Sequence, residues 1–449
     1  MLAKKNNTTN FREAWKQLKQ NRLAYTSYKV LLVLVVIAII APFTATDLPL
    51  YCKYKGYHLF PAFSISNTCK MEDVQSGQTE IIQYDIADWK HLNAEQIIFA
   101  PIAYAPSKSD YDNFNYVSPA GKQVFTNENG EAVDMPVKFR HWLGTNKAGE
   151  DVLSGLINGT RVSLLIGILS MSIASFIGIL LGGMAGYFGN RKLHTARGIF
   201  WMMIIGIVIA FFYGFFIRAY QLSDAFAVSN FQALKQLIIC IFIFVLLCFI
   251  FYLLGKLVSR LPLMSKQVHI PVDAIVSRAI EILISMPLLI LIISISAIAK
   301  EKSIMNVMMI IGLTSWTGIA RLTRAEFLRI STLEYIQSAK ALGFKEWRII
   351  LRHALPNALA PALVAIAFGV ASAILTESAL SFLGIGVPTD LVTWGSLLNA
   401  GREKFQAWWL VVFPGLAIFV TVTVYNLLGE GLRDALDPRL RKVEGRGDL

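Results

Sequence analysis

The chain has 449 residues, 55% of them hydrophobic and only 16% charged, with a mean hydropathy of +0.53. Those values exclude an ordinary soluble enzyme and place it among polytopic membrane proteins. A formal net charge of +12 would suit a nucleic-acid partner, but the Lys and Arg lie in short runs beside apolar segments, which is the positive-inside pattern instead.

The first 28 residues carry Lys4, Lys5, Arg12, Lys16, Lys19 and Arg22, with Phe11, Trp15 and Leu18 at helical spacing. This predicts a basic amphipathic helix on the membrane surface. The apolar run from Tyr28 to Phe43 ends without a small-residue cleavage site and reads as a retained spanning helix. Residues 44–158 are polar and too long for a bare connection, so they predict a small, loop-rich extracytoplasmic subdomain. Cys52 and Cys69 fall in it. An oxidising compartment favours a disulfide between them, two unpaired thiols being the alternative. Cys240 and Cys248, inside an apolar segment, read as packing residues. Near the end of the polar region His141, Asp151 and Arg161 resemble a site but are expected to make caps and loop hydrogen bonds.

A second span, Val162 to Phe188, carries Gly178, Gly182, Gly183 and Gly186, the small-residue spacing that lets membrane helices pack closely. Two further apolar stretches near Ile199–Ile217 and Leu237–Leu254 form an inserted hairpin within 198–256. Spans at Ala274–Ala299, Ile304–Ala320, Leu359–Leu380 and Trp409–Leu428 follow, giving about eight, with both termini cytoplasmic. Trp394, Trp408 and Trp409 suit the outer interface. Glu281 and Glu377 are the intramembrane carboxylates. Glu281 is expected to pair with Arg278 at the interface.

Between the last basic cluster and the next span lies Glu334–Pro356, EYIQSAKALGFKEWRIILRHALP. Its periodicity predicts one short helix over Leu333–Leu342, with Ile336, Ala339 and Leu342 on one face. Gly343 then takes φ > 0. A second helix follows with Trp347, Ile350, Leu351 and Ala354 as its stripe, stopped by Leu355-Pro356. Without further context an amphipathic connector lying on the membrane is the competing reading.

This stretch resembles the cytoplasmic coupling loop of ABC importer permeases, whose signature runs EAA, G, LP. Here the triad is Gln337-Ser338-Ala339, Gly343 and Leu355-Pro356 keep the family spacing, and His353 stands where the general pattern has Ile. The flanking RxxRAEF and RHALPNALAP, the tract SFLGIG near Glu377, and GLRDALDPRLR from Gly431 to Arg441 resemble the oligopeptide, dipeptide and nickel branch. So does HWLGTNKAGED, with Asn146 and Glu150 at the family's Asp and Arg positions.

The resemblance implies an all-α, type I importer permease domain over 159–430, preceded by an N-terminal unit over 1–43 and followed by a cytoplasmic tail over 431–449. It implies that Glu334, Gln337, Ser338, Ala339, Ala341, Gly343, Arg348, His353, Leu355 and Pro356 engage an ATPase. The partners implied are a second homologous permease, two ABC ATPase subunits and an extracytoplasmic peptide-binding protein, with membrane lipid around them and no nucleic acid. The cargo implied is a di- or oligopeptide, with a nickel chelate as the close alternative.

The chain itself carries no G-x-x-x-x-G-K-[ST] phosphate loop, no HExxH and no Cys/His zinc spacing. It is therefore expected to be no enzyme and to hold no cofactor, ATP and Mg being bound by partner subunits. An ion-coupled secondary transporter is the reading from another class. It would want paired ionisable groups in mid-membrane.

Overall fold

The computed structural model describes residues 15–64, 68–72, 79–92, 94–126, 131–228, 230–298, 303–386, 388 and 391–436. Phe11, the basic residues before it and the DPRLR end of the expected tail lie outside the described residues.

Helix α1 covers Arg22–Thr44 and α2 covers Val152–Phe188. The sequence reading starts the second span at Val162, but Asp151 caps the helix, its carboxylate accepting from the Ser154 N–H at 2.6 Å. Thirty-seven residues make a rod of about 55 Å, well beyond the roughly 30 Å hydrocarbon core, so α2 projects from the membrane. Gly189, at φ +60°, ends it.

The main packing seam joins α2 to α8, Ile304–Ser331. A Cβ on Gly182 would stand 2.4 Å from the Ala320 carbonyl oxygen, and one on Gly186 2.4 Å from that of Arg324. Gly178 faces Ile319 and the Trp316 carbonyl in the same way. The four-residue glycine spacing thus brings the two backbones into contact.

Helices α3 (Arg197–Phe211), α4 (Ala219–Val228) and α5 (Asn230–Val258) build the inserted hairpin, with a π turn at Phe212–Phe216. Gly206 lies under Phe251, and Gly198 and Gly255 lie against the facing backbone, so α3 and α5 are zipped to each other. At the hairpin's base the strands His194–Ala196 and Gln267–His269 pair antiparallel.

The core continues with α6 (Val272–Ser285) and α7 (Leu288–Ile298). The single span expected over Ala274–Ala299 is instead bent by 87° at Met286-Pro287, because Pro cannot continue the ladder and disfavours helix in the residue before it. Short helices α9 (Glu334–Ala341) and α10 (Glu346–Ile349) lead into α11 (Leu355–Phe382), followed by α12 (Trp394–Arg402) and α13 (Trp409–Leu436). Gly431–Leu436 is thus the end of the last long helix and not a separate tail. Among the described residues seven helices are long and apolar enough to span, and eight if the bent pair counts as one.

Residues 15–20 are helical, but Leu18 is buried with Ala24 and Ala435, and Trp15 packs with them and edge-on to Tyr28. This apolar stripe therefore faces α1 and α13, and the two described chain ends lie together.

The polar region holds small antiparallel sheets. One has the order β2 (Tyr57–Leu59), β1 (Tyr51–Tyr54), β3 (Gln96–Ile98). The expected Cys52–Cys69 disulfide falls partly outside the described residues. Cys52 is a free thiol on the central strand, fully buried among Leu59, Ile82, Tyr84 and Trp89, and burial pushes its pKa up. The Cys69 side chain lies outside the described residues.

Candidate functional site

The expected coupling stretch hangs from the ends of α2 and α8. Its inner side is a buried apolar cluster in which Ile336, Ala339, Ile349, Ala354 and Ala358 pack on Tyr187, Phe327 and Ile330. The Gln337 amide donates to the Ser331 carbonyl at 2.8 Å, the Asn357 amide to the Tyr335 hydroxyl at 3.1 Å, and His353 stacks on Phe344. Glu334 lies in the first turn of α9.

Gly343 has φ +74°, and a Cβ there would meet nothing within 4 Å. Beyond it the outer side is solvent-facing. Ser338 and the run from Ala341 to Arg348 are all exposed. The stripe assignment needs correction. Leu342 (72% exposed), Trp347 (58%) and Leu351 (56%) point outward while Ile349 is buried, because α10 packs through its other face. Leu355-Pro356 does not stop the second helix. A π turn over Ile350–Ala354 bonds the Leu355 N–H to the Ile350 carbonyl, five residues back, and α11 continues with Pro356 in its first turn, where a missing N–H costs little. The result is an apolar patch mixed with Lys345, Arg348 and Arg352 on a rigid base. Such a patch marks an interaction surface.

Beside this element opens a groove of about 1730 Å³ between α6, α7, α8, α11 and α13. Thr314, Ser315, Thr317 and Ser372 put hydroxyls among its apolar walls, and Arg321, Arg329, Arg433 and Glu326 stand in its lining. It exceeds the roughly 300–1,000 Å³ of drug-sized pockets. Glu281 lies outside it, exposed and paired with Arg278 at 2.6 Å as the sequence led us to expect.

At the far end of α2, His141 is fully buried between two carboxylates, Nδ1 to Asp151 at 2.8 Å and Nε2 to Asp110 at 2.9 Å. Burial alone would lower the imidazole pKa, but the hydrogen bonds and charges of Asp110 and Asp151 outweigh it and hold it above its usual value. Burial likewise opposes ionisation of Asp110, yet His141 and Lys90 bring its pKa below the usual carboxylate value. His141 and Asp151 are therefore loop and cap residues, as expected. Arg161 lies exposed on α2, apart from them.

A raised histidine pKa stabilises fully below the unfolded value of about 6.5 and is lost as pH rises through the folded value, while Asp110 contributes above about 3.9 and is lost as pH falls. Limited proteolysis of the polar subdomain should accelerate at alkaline pH in the native chain. His141→Asn should be weaker throughout and lack this alkaline step. An identical pH profile in both would refute the assignment.

Nearby, Glu377 is fully buried, accepting from the hydroxyls of Ser381 at 2.7 Å, Ser163 at 3.3 Å and Ser378 at 3.4 Å. No sequence spacing announces Ser163, which comes from α2. Trp394 and Trp409 do not sit at a lipid interface. Both are buried, their indole N–H groups donating to the Leu156 and Thr145 carbonyls at 3.0 Å, and only Trp408 is exposed.

Residues 263–442 match the family described as binding-protein-dependent transport system inner membrane component, and residues 9–55 match the N-terminal TM domain of oligopeptide transport permease C. A dipeptide transport system permease of Bacillus subtilis is 27% identical over 323 residues, covering 72% of this chain and 74% of its own. The chain belongs to the peptide branch of the binding-protein-dependent ABC importer permeases. The permease is also 26% identical to an inner membrane ABC transporter permease of Escherichia coli, over 94% of this chain and 96% of the relative. A glutathione transport system permease of Pectobacterium atrosepticum is 29% identical, over 67% and 73%. The first match begins after the inserted hairpin, so α9 to α11, the outward patch and every groove-lining residue but Met171 fall within the family's own segment. The permease is a multi-pass inner membrane protein, and the relatives it matches are permease subunits.

Proposed function

We propose that the permease carries peptides across the cytoplasmic membrane as one half of an ATP-driven importer, and that residues 334–356 dock on an ATP-hydrolysing partner. The observation that carries this reading is the outward apolar patch around Gly343. It is mounted on a buried cluster and placed beside the mouth of a membrane groove. The assembly contains a second homologous permease, which closes the groove from the other side, two ABC ATPases that bind ATP and Mg, and an extracytoplasmic peptide-binding protein. The basic residues around α9 and α10 and both termini face the cytoplasm. Closure of the ATPase pair moves α9 and α10, and rigid helices carry the motion to the gate.

Dipeptide and glutathione names among the relatives favour a peptide over a nickel chelate. An ion-coupled carrier gains no support. Glu281 pairs locally with an exposed arginine, and Glu377 is held by hydroxyls. Uptake into vesicles that follows ATP and not a proton gradient tests the reading.

A further inference from the structure

Among the described residues the coupling element meets α2 at Tyr187 through a hydrogen bond, with the Lys340 ammonium standing over the same ring. The Tyr187 hydroxyl, on the last turn of α2, donates to the Glu346 carboxylate at the start of α10. Tyr187 is 1% exposed and sits in the cluster that backs the coupling stretch, whereas Glu346 is exposed on the patch side. Lys192 donates to the Tyr187 carbonyl, and both Lys192 and Lys340 stand over its ring, so the phenol is fixed from three sides.

The same helix that ends in Tyr187 begins at the Asp151 cap on the far side of the membrane. There Asp151 holds His141, and about 18 Å further along the rod Ser163 reaches Glu377. The rod runs as one helix from Val152 to Phe188, and its glycines are filled by neighbouring backbone and side chains. Apolar contacts in the cluster can slide. A hydrogen bond between a phenol and a carboxylate is directional and fixes the angle between α10 and the end of α2.

We propose that Tyr187 and Glu346 form the joint through which movement of the coupling element enters α2 and reaches the extracytoplasmic face. Both are positioning residues. The inference rests on the docking reading above and goes beyond it by naming the hydrogen bond that transmits the motion.

The assembled complex tests it, with an environment-sensitive fluorescent amino acid at position 142, beside His141, reporting the far end of α2. ATP plus vanadate should change its emission in the native complex. Tyr187→Phe and Glu346→Ala should each reduce that amplitude roughly tenfold, as expected for losing a hydrogen bond to a charged acceptor, and Tyr187→Phe, a buried change outside the docking element, should do so with ATPase subunits still bound and still hydrolysing. The double variant should lose no more than either single one, and Glu346→Gln, whose amide oxygen still accepts, should restore most of the signal.

An unchanged amplitude in Tyr187→Phe, additive losses in the double variant, or failure of Glu346→Gln to rescue would overturn the joint. So would release of the ATPase by Tyr187→Phe, since the buried hydroxyl would then serve docking and not transmission. A native complex that binds no ATPase would instead overturn the docking reading itself.

Discussion

Gly343→Asp should yield a permease that inserts and folds but no longer holds its ATPase subunits. The backbone there is at φ +74°, where a β-carbon costs about 1 kcal/mol or more. Aspartate is among the residues that tolerate this region, and nothing within 4 Å obstructs a side chain, so the chain itself loses little stability. The substitution instead plants bulk and charge in the centre of the patch formed by Leu342, Trp347 and Leu351. On purified complexes the retained ATPase should fall at least roughly tenfold, the expected scale for burying an unpaired charge in an interface. Ala341→Asp, exposed one turn away, should act similarly. Lys345→Ala should be mild, because an exposed lysine at a rim contributes about 1 kcal/mol or less. If Gly343→Asp retains its ATPase as well as the native chain does, the amphipathic-connector reading takes over.

The second large effect lies in the seam between α2 and α8. Gly182→Leu would drive a Cβ to 2.4 Å from the Ala320 carbonyl oxygen and 2.9 Å from its Cα, both backbone atoms that cannot swing aside. The helices must separate, and the neighbouring contacts of Gly178 and Gly186 are lost with that one. Overpacking of this kind costs about 3 kcal/mol or more, a large share of a domain's stability. Little folded protein should be recovered in detergent. Gly318→Leu is the control. It lies on the opposite, groove-lining side of α8 with nothing within 4 Å, so its melting temperature should stay close to native. Equal melting of the two variants would mean that the seam is not the stabilising contact.

The seam was legible in the sequence because four-residue glycine spacing has one dominant physical use. Gly343 was legible for the same kind of reason, since few residues end a helix with φ > 0. The limits of the coupling element were less so. Pro356 reads as a stop by local rules, whereas the π turn over Ile350–Ala354, ending two residues before it, re-registers the ladder and lets α11 run on. Trp347 and Leu351 fit a buried stripe by periodicity, but which of two apolar faces turns inward is decided by Tyr187 and Phe327, which lie outside the stretch. Tryptophans near a span end suggest an interface. Trp394 and Trp409 instead find carbonyl partners inside the protein, at Leu156 and Thr145, that no local pattern predicts. The long-range ties, Tyr187 with Glu346 and Ser163 with Glu377, join residues far apart in sequence and leave no periodic trace.

ATP-driven uptake tests the central claim most directly. The permease, its partner permease, the ATPases and the binding protein are reconstituted into vesicles, and a labelled dipeptide is offered on the binding-protein side. The account predicts accumulation when ATP is present on the ATPase side, unaffected by a protonophore and abolished in Gly343→Asp. Accumulation that follows a proton gradient without ATP, or that persists undiminished in Gly343→Asp, would contradict it.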